Sequence, residues 1–364
     1  MAIDKITTAA ITDGTIVTAD IADANVTAAK LASGTVQNQS AFKNIVINGD
    51  MSIAQRATST SSITSSGYHT VDRFRTRLGS MGTWTQSQST DVPTGQGFAT
   101  SLKMDCTSAN ASPSAAASFS IQGQFEGQNL QYLKKGTSSA ESTTLSFWVK
   151  SNKTGTYIAE LFDNDNQRQI SQAYTISNAN TWEKKTLTYA GDTSGALGND
   201  NGASFLIEFW LGAGSNYTSG TLSTTWTSNT NTNRVVGQVN LADSTSNEWY
   251  VTGVQLEAGT SASDFEFLPV DVNLNRCERY FFKNTGSGGH IGYAPSIGDN
   301  YRHELYFYPV EMRASPTITA TWTGSGQQGN GSQYTATKTV DVYVNMGDTT
   351  SIVNLTSIQG DAEL

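Results

Sequence analysis

The chain has 364 residues and a net charge of −9, and only 15% of its residues are charged, against about 25% in ordinary globular proteins. An acidic, weakly charged surface excludes recognition of a phosphate backbone, which needs basic patches, so no nucleic-acid partner is expected. Two cysteines, Cys106 and Cys277, exclude a disulfide scaffold and read as free thiols. No apolar stretch reaches the ~18 residues of a membrane span, and no charged-then-apolar segment opens the chain, so synthesis in a cytoplasm without membrane insertion is expected.

Residues 1–40 form the first element. Ile6, Ile11, Ile16, Ile21, Val26, Leu31 and Val36 stand five apart without a break. A step of five turns an α-helix by about 140°, so these residues would circle its axis and form no stripe. In a flat strand an odd step alternates faces. The period fits a chain that bends once per unit and stacks its aliphatic side chains, as solenoids and fibrous shafts do. A small residue (Ala9, Gly14, Ala19, Ala24, Ala29 or Gly34) stands two positions before each of the last six, as a narrow axis requires. A continuous helix is the alternative, favoured by the alanines and opposed by the phase. Seven units make too small a core to stand alone. The arm is therefore expected to dock on a partner or to share its core with other copies, most economically as a homotrimer.

The body is expected over residues 41–270. Short apolar-alternating runs are broken by Gly, Ser and Asn. Leu145, Phe147 and Val149 share one face, and after a turn at Lys153-Thr-Gly155 the runs 157–162, 182–189, 204–211 and 248–257 follow. Thr- and Ser-rich strands with no helical period between them predict an antiparallel β-sandwich with long loops at its edges. Residues 271–364 predict a small β tip domain. Its runs 302–310, 317–322 and 339–344 frame two Gly-rich stretches, 286–290 and 324–331, read as loops.

Several segments together resemble bacteriophage tail fibres of the short-tailed and marine phage type. The pentad arm resembles their N-terminal shaft. Asn44-Ile-Val-Ile-Asn-Gly-Asp-Met-Ser-Ile-Ala-Gln-Arg56 with Val71-Asp-Arg-Phe74 is similar to the opening of their central domain. Trp249 to Gly259, Phe265-Glu-Phe267 and Cys277-Glu-Arg-Tyr-Phe281 are similar to its junction with the tip, and Val310 to Thr317 to a tip segment. The middle, Leu145 to Lys150 and Trp182 to Thr188, is similar to jelly-roll carbohydrate-binding modules. The resemblance implies a homotrimer on the virion tail, made in the host cytoplasm, docked by its arm to the tail or an adaptor. Its distal domain would bind a bacterial surface glycan, with lipopolysaccharide the expected receptor.

Catalysis finds little footing in the residues. The three histidines, His69, His290 and His303, accompany no Gly-x-Ser-x-Gly nucleophile motif. Glu160 and Glu208 lie mid-strand and read as exposed or edge positions, so no catalytic residue and no enzymatic activity are expected. The competing reading is a polysaccharide depolymerase using paired carboxylates. No cofactor is expected. One metal candidate, a calcium site at Asp163 and Asp165 in Asp163-Asn-Asp-Asn-Gln167, competes with a plain polar turn. Glycan binding draws on aromatic rings beside flexible polar loops. The candidates are Tyr293, Tyr301 and Tyr334, with His290 and Gln327. In the body, Trp148 and Trp210 stand out of phase with the core residues Phe147 and Phe209. They either line a sugar groove or pack under a loop or a neighbouring subunit.

Overall fold

The computed structural model describes residues 42–286, 291–294, 300–324, 326–347 and 353–364. The chain divides into two units, Met1–Ala41 and Phe42–Leu364. The first lies outside the described residues, and with it all seven pentad positions.

Among the described residues the body is built of two antiparallel sheets. One runs β1 (Ser59–Ile63), β4 (Thr83–Ser89), β5 (Ser101–Ser108), β13 (Glu248–Ala258), β7 (Thr143–Ser151), β10 (Glu183–Tyr189). The other runs β12 (Thr227–Ser228), β9 (Arg168–Ile176), β8 (Gly155–Asp163), β11 (Ala203–Ala213), β6 (Ser118–Glu126), β3 (Phe74–Gly79), β2 (Gly67–Tyr68). The chain changes sheet between β3 and β4, β5 and β6, β6 and β7, and β7 and β8, the jelly-roll manner of filling two layers. The expected all-β sandwich is the observed architecture. Period-two alternation sends Leu145, Phe147 and Val149 inward from β7 and Phe205, Ile207 and Phe209 inward from β11, all buried in one core. The layers meet through rings: Phe147 lies 4.9 Å edge-on from Phe209, and Trp84 lies 4.3 Å from Phe119. Each such side chain contributes about 1.5–3 kcal/mol on burial.

The outer face of the seven-stranded sheet is also covered. The crossing segment 214–240, which carries the short helix α1 (Ser215–Thr218), packs Val235, Tyr217 and Leu222 on Ile158 and Trp210. This corrects the reading of Glu160 and Glu208. Their strand phase is outward, but both are buried under that segment. They stand directly opposite each other in β8 and β11, and Arg234 from the crossing segment bridges them. Its Nη2 donates to Glu160 at 2.8 Å and to Glu208 at 2.9 Å.

A helix absent from the sequence expectation, α2 (Val270–Glu278), leads into the tip, with Asn273 and Cys277 on its buried side. The tip has two sheets among the described residues. In one, β20 (Val353–Asp361) pairs with β14 (Phe281–Thr285), β15 (Gly292–Ala294) and β17 (Thr317–Thr323). In the other, β19 (Thr339–Met346) lies between β16 (Tyr301–Phe307) and β18 (Gln327–Gln333). The Gly-rich stretch read as a loop at 324–331 thus supplies most of strand β18. Val340, Val342, Val344, Leu355 and Ile358 form the tip core, and Trp322 is buried with them as its phase with Ile318 predicts.

Body and tip are tied by charged and amide groups. Arg73 pairs with Glu363 and lies 3.5 Å over the Tyr280 ring. Arg279 donates to both oxygens of Glu126 at 2.8 Å. Asn273 joins the helix to Asp50 and Ser52. Gly49 lets the segment that Asn273 reaches run close against β13 of the body, because a Cβ there would come within 2.1 Å of the Val254 carbonyl oxygen.

Candidate functional site

The outer face of the sheet β16-β19-β18 carries the clearest constellation. Along β19, Val340, Val342 and Val344 point to the core, so Asp341 and Tyr343 point out. Strand β16 sets His303 opposite Tyr343 and Leu305 opposite Asp341, and β18 sets Gly331 opposite Tyr343 and Gln333 opposite Asp341. Paired residues share a face, so Tyr301, His303, Tyr343, Asp341 and Gln333 lie together.

Their geometry is tight. The Tyr301 and His303 rings each lie 5.8 Å from the Tyr343 ring. His303 Nδ1 is 3.0 Å from the Asp341 carboxylate, and Gln333 Nε2 donates to the same group at 2.7 Å. Asn345 Oδ1, on the same face, makes no hydrogen bond among the described residues. The glycines keep the face low. A Cβ on Gly331 would meet Tyr343 Oη at 2.7 Å, whereas one on Gly329 would meet open space. Tyr301, Leu305 and Phe307 are 42%, 58% and 68% exposed. At the Phe307 end the face runs into a recess of about 250 Å³ beside Tyr308, Glu311 and Lys338. Ring faces flanked by a fixed carboxylate, amide and imidazole can receive C–H surfaces and direct hydroxyl groups. A nucleophile with an adjacent base is not part of this arrangement.

Of the residues expected from sequence, Tyr301 belongs to this face. Tyr334 follows Gln333 directly, is 83% exposed, and takes a left-handed φ of 50°. Tyr293 stands in the other tip sheet, opposite Asn354. Gln327 donates to the carbonyls of Trp322 and Gly324 at the far end of β18. His290 lies outside the described residues. Trp148 is half-buried, in register with Thr252 and Lys184 on the outer face of the six-stranded sheet. Trp210 is a packing residue and not a groove residue: it is fully buried and donates from Nε1 to Glu160 at 2.9 Å.

Asp163 is buried and held by Lys135 and the Asn166 amide, and Asp165 accepts from the Gly198 N–H. Among the described residues no three His, Cys, Asp or Glu side chains gather in a metal-binding group. Sequence reasoning missed His303, Asp341, Tyr343 and Gln333 as site residues. The alternation Val340-Asp-Val-Tyr-Val344 places Asp341 and Tyr343 outward, but the partner strands that complete the site are visible only in the fold.

No family model and no curated protein matches this chain. Loose similarity to solved structures exists. The enzymatically active domain of tailspike protein 4 of bacteriophage CBA120 aligns over 59% of this chain and 21% of that one, at 16% identity and a TM-score of 0.31. A putative sugar binding protein from Bacteroides thetaiotaomicron aligns over 59% and 99%, at 10% identity and a TM-score of 0.32. A family 11 carbohydrate-binding module from Clostridium thermocellum, solved with a mixed-linked tetrasaccharide, aligns over 60% and 97%, at 11% identity and a TM-score of 0.26. No residue role is transferred from them.

Proposed function

We propose that this chain is a bacteriophage tail fibre that adsorbs to a bacterial surface glycan through the outer face of its tip sheet, with lipopolysaccharide as the receptor. The observation that carries the reading is the juxtaposition of Tyr301 and Tyr343 with the Asp341–His303–Gln333 cluster on an exposed, glycine-lowered face. The fibre assignment draws on the strict pentad of residues 1–40 and on the motifs at 44–56, 249–267 and 277–281. The arm docks the protein to the tail or an adaptor and gathers three copies. Three weak sites on one particle raise the effective affinity, so each can be modest.

The protein acts by binding, without turnover and without a cofactor. The body's paired carboxylates, Glu160 and Glu208, are buried on Arg234 and serve to hold the crossing segment on the sheet. The test is incubation of the full chain with host lipopolysaccharide, followed by both bound protein and released saccharide. Saturable binding with no released fragments is expected. Released fragments would establish the depolymerase reading instead, and no binding would remove the glycan reading.

A further inference from the structure

A second concavity lies where the first described residues meet the body and helix α2. Phe42, Ile47, Leu130, Tyr132, Arg276 and Arg279 line a groove of about 440 Å³, within the range of about 300–1,000 Å³ usual for small-molecule sites. Phe42 and Tyr132 are 60% and 48% exposed there. The two arginines differ in state. Arg279 is committed to Glu126 through two hydrogen bonds. Arg276 belongs to no ion pair among the described residues, and its Nη1 makes no hydrogen bond. Its guanidinium sits 5.9 Å from the Phe42 ring centroid. Burial lowers its pKa, with Glu266 among the groups opposing the shift. The Glu266 carboxylate is already taken by the backbone N–H groups of Phe42 and Asn44.

A guanidinium that makes no ion pair among the described residues, beside exposed rings and the Gln128 and Asn129 amides, is complementary to one kind of small ligand. That ligand joins an anion to a ring with C–H faces and hydroxyl groups. We propose that this groove binds a carboxylate-bearing sugar, a uronate-type residue whose carboxylate sits on Arg276 and whose ring packs on Phe42 and Tyr132. The planar guanidinium matches a carboxylate through two parallel N–H donors. The ring faces take the sugar's C–H surface. The site uses other elements than the tip face and stands independently of it.

The experiment is calorimetric titration of the full chain with trigalacturonate and with its neutral galactose counterpart. Trigalacturonate is expected to bind at least about tenfold more tightly than the neutral trisaccharide, and Arg276→Gln to lower its affinity by about tenfold or more. Tyr132→Ala removes an exposed side chain, leaves the core intact, and is expected to weaken binding about threefold to tenfold. The proposal is overturned if trigalacturonate does not bind or the two sugars bind equally. It is also overturned if Tyr132→Ala has no effect, or if Arg276→Gln keeps the full affinity for trigalacturonate.

Discussion

Replacing Arg234 by methionine tests what holds the crossing segment on the body. Arg234 donates to Glu160 through Nε and Nη2 at 2.8–3.1 Å and to Glu208 at 2.9 Å. Glu208 keeps Ser120 at 2.9 Å and Arg77 at 3.4 Å, while Glu160 keeps the Trp210 indole. Methionine retains most of the apolar stem, so the loss is chiefly the cation. Breaking a buried ion pair by removing one partner costs about 3–5 kcal/mol. That corresponds to a drop in Tm of about 6–20 °C for a domain of this size. The pH dependence follows from the two carboxylates. Burial holds Glu160 above its ordinary pKa, outweighing Arg234. Its contribution to stability is therefore present below the unfolded pKa and lost as pH rises through the folded one. Burial also raises Glu208, but Arg234 and Arg77 outweigh it and leave that pKa lowered. Its contribution is present above the unfolded pKa and lost as pH falls through the folded one. Removing Arg234 pushes both carboxylates up, so the destabilisation grows with pH. Urea unfolding followed by tryptophan fluorescence, near pH 7.5 and about pH 5, reads both effects. A loss below about 1 kcal/mol, or an equal loss at both pH values, refutes the bridge as the tie.

Three further outcomes are expected. Burial raises Asp72 to about 6 against the opposing Gln55 and Arg56, so its favourable contribution is lost as pH rises through that value. Asp72→Asn should flatten the stability profile across this window in pH-dependent urea unfolding. Gly49→Ala drives a Cβ against the Val254 carbonyl and should cost about 1–3 kcal/mol by the same assay. Burial pushes the Cys106 thiol up to about 11 and Cys277 well above its ordinary value. Neither should react with a thiol reagent near neutral pH until denaturant is added, and rapid labelling of the native protein would contradict that.

The sheets were legible wherever one face alternates, as in Leu145-Ser-Phe-Trp-Val and Val340-Asp-Val-Tyr-Val. Helix α2 was not, because its buried positions are Asn273 and Cys277 and leave no aliphatic stripe to detect. Strand β18 was hidden by its glycines. They read as a loop, yet β19 supplies the ladder, and Gly331 makes room for Tyr343. Glu160 and Glu208 were assigned to the correct side of their strands but not to the interior, whereas for Trp210 packing under a loop was one of two open readings and is the one the fold realises. Burial of that face depends on the later segment 214–240, whose Arg234 stands 26 residues after Glu208 and 74 after Glu160, and local alternation carries no information about it. The site suffered similarly. Tyr301 was visible from its polar surroundings, whereas Asp341, His303 and Gln333 become one cluster only through strand pairing.

The measurement that bears most directly on the central claim is equilibrium binding of host lipopolysaccharide to the full chain and to Asp341→Asn and Tyr301→Ala. Both are surface changes on β19 and β16 that leave the valine core in place, checked by unchanged circular dichroism and Tm. Loss of the carboxylate that orders His303 and Gln333 should weaken binding about tenfold, and loss of the Tyr301 ring should do so to a similar degree. Undiminished binding in both variants, with the fold intact, would contradict a receptor site on the tip face.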